Sequence, residues 1–79
     1  MARYFFDFRS KDVTSLDDEG VELSDVESAH QEALGALADA IQDVVMQGQP
    51  DQHVAVEVRD ELGPVLEVTA ILGLRILRK

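Results

Sequence analysis

One long helical pattern, flanked on both sides by alternating segments, constrains this chain of 79 residues more than any other feature. Over residues 26–44, apolar side chains recur at steps of three and four, which is typical of an amphipathic helix. We predict that Ser24 caps this helix and that Glu27 completes a capping box, with Gly48 and Pro50 ending the helix. A lone helix of this length needs a sheet on which to bury its apolar stripe.

Alternating segments on either side of the helix predict the strands of that sheet. The first, Arg3–Arg9, has an inward face that carries three of the four aromatic residues of the chain, Tyr4, Phe6 and Phe8, and we expect these to lie in the core. A turn at Ser10–Asp12 leads to a short strand at Val13–Leu16, with Val21–Leu23 as a brief continuation. A hairpin of His53–Arg59 and Val65–Ile71 follows the helix. The predicted class is α+β: a small antiparallel sheet of about four strands, in the order β-β-α-β-β, with one long helix packed on one face.

Length and composition favour a single domain over residues 1–79, because so short a chain can build only one core. The chain contains no cysteine, which removes disulfides and thiolate metal sites. It also contains no long apolar run of the kind that spans a membrane or forms a secretory signal. We therefore expect a cytoplasmic protein that has no membrane association.

Acidic residues outnumber basic ones by 16 to 7, which gives a formal charge of −9. Residues 24–53 contain six acids and neither lysine nor arginine. We therefore do not expect nucleic acid as a partner, because its phosphates are repelled by a negative surface. A small basic tail at Arg75, Arg78 and Lys79 leaves two interpretations open: a contact with nucleic acid, or a positively charged guard on an edge strand.

No pattern in the chain points to catalysis. His30 and His53 are the only histidines, and they form no metal-ligand spacing. The acidic turn that ends at Gly20 lacks the ligand spacing of a calcium loop, and the glycines form no phosphate-binding motif. We expect no catalytic, cofactor-binding or metal-binding residue and no enzyme activity.

An acidic line on the helix is the first candidate interaction surface. Asp25, Glu32 and Asp39 recur every seven residues, so they share one side of the helix. A solvated outer face explains such a line, and so does a docking face for a basic partner. Charge alone does not separate these two interpretations.

An apolar excess towards the C-terminus is the second candidate surface. If the helix covers one face of the sheet, Phe5, Val65 and Ile71 are left on the other face, and Leu74 and Ile76 continue the apolar run beyond it. Pairing with a second copy or with another protein would remove these side chains from water. A homodimer or a complex with another protein is therefore the expected state.

Several segments together resemble a known family. They are the opening Met-x-Arg-Tyr-Phe-Phe-Asp7, the acidic segment that ends at Asp25, the alanine-rich helix, and a hairpin reading Val56-Glu-Val-Arg-Asp60 then Gly63-Pro64. The combination is similar to small alphaproteobacterial, largely rhizobial, domains of unknown function. The resemblance implies a bacterial cytoplasmic protein and supplies no activity. The element order also resembles, more distantly, the partial ribonuclease-H-like domain of HicB antitoxins.

Two functional hypotheses follow. The first is a non-enzymatic protein-interaction module, self-associating through its C-terminal region or the open face of the sheet. The second is an antitoxin-like or nucleic-acid-mimicking inhibitor that binds a basic protein through the acidic side of its helix. Salt separates them, since charge-mediated binding weakens as ionic strength rises.

Overall fold

The computed structural model describes residues 1–11, 13–48 and 52–78. Within these residues the elements are, in order, β1 (Ala2–Arg9), β2 (Thr14–Ser15), β3 (Val21–Leu23), α1 (Val26–Met46), β4 (Gln52–Asp60) and β5 (Gly63–Leu72). The predicted α+β class and the β-β-α-β-β order are confirmed, and counting β3 brings the sheet to five strands. Three residues that the sequence analysis uses lie outside the described residues: Asp12 of the first turn, Pro50 at the predicted helix end and Lys79 of the basic tail.

The sheet is antiparallel, with the order β2-β1-β4-β5. Both short strands pair with β1: β2 pairs with its last residues and β3 with its first. The chain from β2 to β3 therefore runs along one edge of β1, and the middle of that edge faces the segment 16–20. On its other edge β1 pairs with β4, which makes β1 and β4 the central strands and leaves β5 at the far edge.

Helix α1 begins one residue later than predicted. Asp25 is the N-cap: its backbone is extended, with φ −161°, and its carboxylate accepts a 2.8 Å hydrogen bond from the Ser28 amide. The assignment of Ser24 as the cap is wrong, because the Asp25 carboxylate takes the amide that a cap must bind. The Ser24 hydroxyl lies 3.3 Å from the Ser28 hydroxyl instead. At the other end, Gly48 has φ +68° and follows the last turn, as predicted.

The core lies between one side of the helix and the central strands. Its helix residues are Ala29, Ala33, Leu37 and Val44, and its strand residues are Tyr4, Val54, Val56 and Val58. The inward faces of β1 and β4 thus match the alternation of the sequence. The helix packs mainly over β4 and β5 rather than over β1. Phe6 and Phe8, which point to the same side as the core, are consequently only half-buried.

Two glycines have opposite surroundings. Gly35 lies in the middle of α1, and no described atom outside the helix backbone lies within 4 Å of a Cβ placed there. Gly20 has φ +73°, and a Cβ there would lie 2.9 Å from Arg3 Cγ and from Phe5 Cε2. Gly35 is therefore a tolerated helix glycine, whereas Gly20 is required by both its backbone and its neighbours.

We expect Gly35→Ala to raise the free energy of unfolding by about 0.5–1 kcal/mol, because alanine is the better helix former. We expect Gly20→Ala to lower it by about 1–2 kcal/mol, because alanine is strained at positive φ. Urea denaturation followed by circular dichroism measures both. Changes of the same sign in the two variants would contradict these assignments.

Candidate functional site

An open groove of about 480 Å³ lies between the C-terminal half of α1 and strand β1. Its apolar residues come from the sheet and from the helix, and a polar rim surrounds them. We call it the α1–β1 groove; its lining residues are Phe6, Phe8, Ser10, Val13, Ala36, Asp39, Ala40, Asp43, Val44, Gln47 and Val56. Because its floor is aromatic and aliphatic, the groove presents apolar surface that an additional chain segment could bury.

Small side chains on the helix create this groove. Ala36 and Ala40 face the floor from the helix side, where Phe6 and Phe8 rise from β1. The two aromatic rings lie to one side of the helix. The methyl groups of two alanines are too small to fill the space above these rings. The phenylalanine rings therefore remain half-buried within the described chain.

The rim of the groove on the helix side is acidic. Asp39 and Asp43 lie one turn apart, and the described lining contains no lysine or arginine. Within the described residues, arginines form ion pairs with other carboxylates, those of Asp7, Glu22 and Glu67. The negative end of the helix dipole lies at the same end of α1, so it adds to the field of the two aspartates.

A second hollow of about 600 Å³ continues the groove towards the N-terminal half of α1. It shares Phe6, Ala36 and Asp39 with the α1–β1 groove. Its remaining lining residues belong to the segment before β3, to the first residue of β3 and to α1: Asp17, Val21, Gln31, Glu32, Gly35 and Ala38. Glu32 therefore extends the acidic rim along the same side of the helix.

A polar network fixes the wall of this second hollow. The Asp7 carboxylate, which is buried, accepts a 2.8 Å hydrogen bond from Arg59 Nε and a 2.9 Å bond from the Asp17 amide. Arg59 Nη2 also donates to the Asp17 carbonyl at 2.7 Å. The network joins β1, β4 and the segment between β2 and β3, so it holds that segment against the sheet.

The side chain of Asp17 substitutes for a neighbouring strand. One of its carboxylate oxygens accepts from the Phe6 amide at 3.1 Å, and the other accepts from the amides of Glu19 and Gly20. Burial opposes ionisation of this carboxyl, but these backbone hydrogen bonds and the charge of Arg59 outweigh burial and lower the pKa of Asp17. The hydrogen bond with Asp7 raises the pKa of Arg59 against the opposing effect of burial.

The sequence pattern of one family covers most of the chain. The family described as a domain of unknown function, DUF6894, matches residues 3–71. The chain belongs to this family. No curated protein and no solved structure is significantly similar to it. Of the residues that the structure describes in this DUF6894 domain, none forms a helix long and apolar enough to cross a membrane.

The acidic residues singled out from the sequence occupy two different places in the DUF6894 domain. Glu32 and Asp39 lie on the rim of the groove and its continuation. Asp25 lies at the start of α1, where its hydrogen bond with the Ser28 amide lowers the pKa of its carboxyl. The structure therefore brings two of the three together and adds Asp43, which the seven-residue spacing misses.

The apolar residues singled out from the sequence do not form one surface. Phe5 lies beneath the Arg59 guanidinium, 4.5 Å from the ring centre, and against Gly20. Val65 sits at a register shift between β4 and β5 and packs against the core. Ile71 is 77% exposed on β5, and Leu74 and Ile76 are more than half exposed beyond the sheet. Phe5 lies on the face of the sheet away from the helix, where the Arg59 guanidinium covers its ring. Val65 does not lie on that face as predicted, because at the register shift it packs against the core instead.

The two histidines lie apart. His30 is half-buried on the helix, whereas His53 is exposed on the side of β4 that faces away from the helix. Within residues 1–11, 13–48 and 52–78, no group of three or more His, Cys, Asp or Glu side chains is placed to hold a metal ion.

The groove itself was missed by sequence reasoning, which treated Phe6 and Phe8 as interior residues. A signal was present in the helix. Ala36 and Ala40 lie on the same side as Asp39 and Asp43, whereas the bulky Leu37 and Ile41 lie towards the other strands. Where alanines alternate with acids on one side of a helix, the side chains are too small or too polar to fill the space beside the sheet.

We expect Asp17→Ala to lower the free energy of unfolding at pH 7 by about 2 kcal/mol, because three backbone amides lose their acceptor. The folded-state pKa of Asp17 is depressed, so its contribution is complete above the pKa of the unfolded chain. The difference between wild type and variant should therefore be constant above about pH 5 and shrink below about pH 4.

Asp18→Ala is the matched control, since Asp18 is exposed and adjacent. Its effect should stay within about 0.5 kcal/mol at every pH. Urea denaturation between about pH 3 and pH 7 measures both variants. An equal loss in the two variants would show that Asp17 has no special role.

Proposed function

We propose that this protein is a non-enzymatic interaction module whose α1–β1 groove binds a basic, apolar segment of a protein partner. One observation carries the proposal: an open groove of about 480 Å³ combines an aromatic floor with two carboxylates and no lysine or arginine among its described lining residues. A segment that alternates apolar and basic side chains complements both properties.

Apolar contact supplies the affinity in this proposal. Phe6 and Phe8 are half-buried, so a bound side chain would remove further aromatic surface from water. Burial of apolar surface contributes about 25 cal/mol per Å², and aromatic rings offer the largest area per residue. Charges around the groove then select which apolar segments bind.

Charge supplies the selectivity. Asp39 and Asp43 stand one helical turn apart, where like charges repel, and Asp43 also lies near the negative end of the helix dipole. Both effects destabilise the free protein slightly. A bound lysine or arginine would relieve them, so the groove favours cationic ligands over neutral ones.

The antitoxin-like or nucleic-acid-mimicking alternative shares this acidic rim through Glu32 and Asp39. In this alternative, attraction between opposite charges supplies the affinity, whereas in the interaction module the apolar floor supplies it. Binding that vanishes at high salt would favour this alternative, whereas binding that survives in part favours the interaction module. The distant likeness to HicB antitoxins, the alphaproteobacterial origin and a cytoplasmic location remain predictions from the sequence.

A displayed library of random heptapeptides tests the proposed function. Selection on the wild-type protein should enrich peptides that combine basic with aliphatic or aromatic residues. The Asp39→Lys/Asp43→Lys protein should lose these peptides, whereas the control Asp18→Lys/Glu61→Lys, with the same change of charge on exposed turns, should retain them. Equal enrichment on both variants would sink the proposal.

Asp43→Lys alone should change stability and binding in opposite directions. We expect it to raise the free energy of unfolding by about 0.3–1 kcal/mol, since a positive charge suits the C-terminal turn of a helix. The same variant should bind a selected basic peptide about tenfold more weakly, a loss of about 1.4 kcal/mol. Thermal denaturation and fluorescence anisotropy measure the two effects. A variant that is both more stable and equally good at binding would remove Asp43 from the site.

A further inference from the structure

The last described residues of the chain have the chemistry that the groove selects. Residues 73–78 follow β5 and form no regular secondary structure. We call them the C-terminal segment. Leu74, Ile76 and Leu77 are 56%, 67% and 79% exposed, respectively. Arg75 and Arg78 are interleaved with them, and Lys79 follows in the sequence. The segment is therefore both apolar and basic, in a protein whose formal charge is −9.

The spacing of these side chains allows the apolar and the basic residues to lie on different sides of the segment. Wound as one helical turn, at 100° per residue, the segment places its apolar side chains on one side and its arginines on the other. The apolar side matches the floor formed by Phe6 and Phe8, and the arginines match Asp39 and Asp43. Groove and segment are thus complementary in polarity and in sign of charge.

The C-terminal segment does not occupy the α1–β1 groove of its own chain. No described residue after Val56 lines the groove. The segment leaves the sheet from β5, at the opposite edge from β2, and α1 packs over β4 and β5 between them. To reach its own groove, the segment would have to pass around the C-terminal turn of α1. A second copy meets no such obstacle.

We propose that two copies of the chain exchange their C-terminal segments, each filling the α1–β1 groove of the other. This inference rests on the proposed function of the groove and names its occupant. Such an exchange is a twofold arrangement in which the same contact is made twice, so the two contacts reinforce each other. The basic segment of one copy then offsets the acidic rim of its partner.

A pair of charge reversals tests the exchange. The groove variant is Asp39→Lys/Asp43→Lys, and the segment variant is Arg75→Glu/Arg78→Glu. Each variant alone should be monomeric at concentrations at which the wild type is a dimer, because groove and segment then carry the same sign of charge. An equimolar mixture should form a 1:1 heterodimer, because each segment meets a groove of the opposite sign. Analytical ultracentrifugation and native mass spectrometry resolve the two chains.

Other outcomes overturn the exchange. A monomeric wild type, or a mixture that remains monomeric, would show that the segments are not exchanged, including the case in which each segment folds back on its own groove. Dimers that persist in the segment variant would place the interface elsewhere, for instance at the exposed edge of β5. Circular dichroism and urea denaturation confirm that both variants are folded.

A matched pair of leucine substitutions tests the apolar half of the contact. Leu77→Asp should raise the dimer dissociation constant by about tenfold or more, because it removes an apolar anchor and adds a negative charge near the acidic rim. Leu62→Asp makes the same chemical change at a 96% exposed leucine in the β4–β5 turn, and it should leave the constant unchanged. Equal effects would contradict the exchange.

The peptide library separates the two levels of the proposal. Selection on the segment variant, whose groove is unaltered, reports on the groove independently of the segment. If basic apolar peptides are enriched there while the mixed variants fail to pair, the groove binds another partner and only the exchange is overturned. If no peptides are enriched, the proposed function fails as well.

Discussion

The width of a helix limits what this sheet can hide. A helix with its side chains is about 10–12 Å across, and strands lie about 4.8 Å apart, so one helix covers roughly two strands. This sheet is four strands wide, counting β2 and β3 as one interrupted edge. Because α1 lies over β4 and β5, the aromatic side chains of β1 extend beyond its cover. The groove follows from that shortfall, and the alanines at its border widen it.

On the face of the sheet away from the helix, several of the larger described side chains are paired, although Ile71 stays exposed. Arg59 covers Phe5 with its guanidinium and binds the buried carboxylate of Asp7. Arg9 on β1 reaches across β4 and forms a further ion pair with Glu67 on β5. A buried carboxylate with several donors is tolerated, and removing one member of such a network leaves an unpaired charge. The fold thus places its polar organisation on one face and its apolar opening on the other.

The helix, the long strands and their inward faces could be predicted because periodicity is a local property of the sequence. The start of the helix could not be decided in this way, since Ser24 and Asp25 are both good caps. The lateral position of α1 depends on the volumes of side chains that meet only in the folded state. The pairing of Arg59 with Asp7 joins residues 52 positions apart, and no local pattern indicates it. The acidic side of the helix could be predicted from the spacing of its acids. The partial exposure of Phe6 and Phe8 on β1 could not, because it depends on where the helix packs.

The sheet edge formed by the short strands β2 and β3 also limits aggregation. Open sheet edges recruit strands from other chains and start aggregation, and very short edge strands prevent this. Here β2 has two residues and β3 has three, and between them the Asp17 carboxylate occupies the Phe6 amide. An incoming strand finds neither a continuous ladder nor a free donor at that amide. Growth of the sheet into fibrils is thereby blocked on this side, and β5 is the edge through which any such growth would proceed.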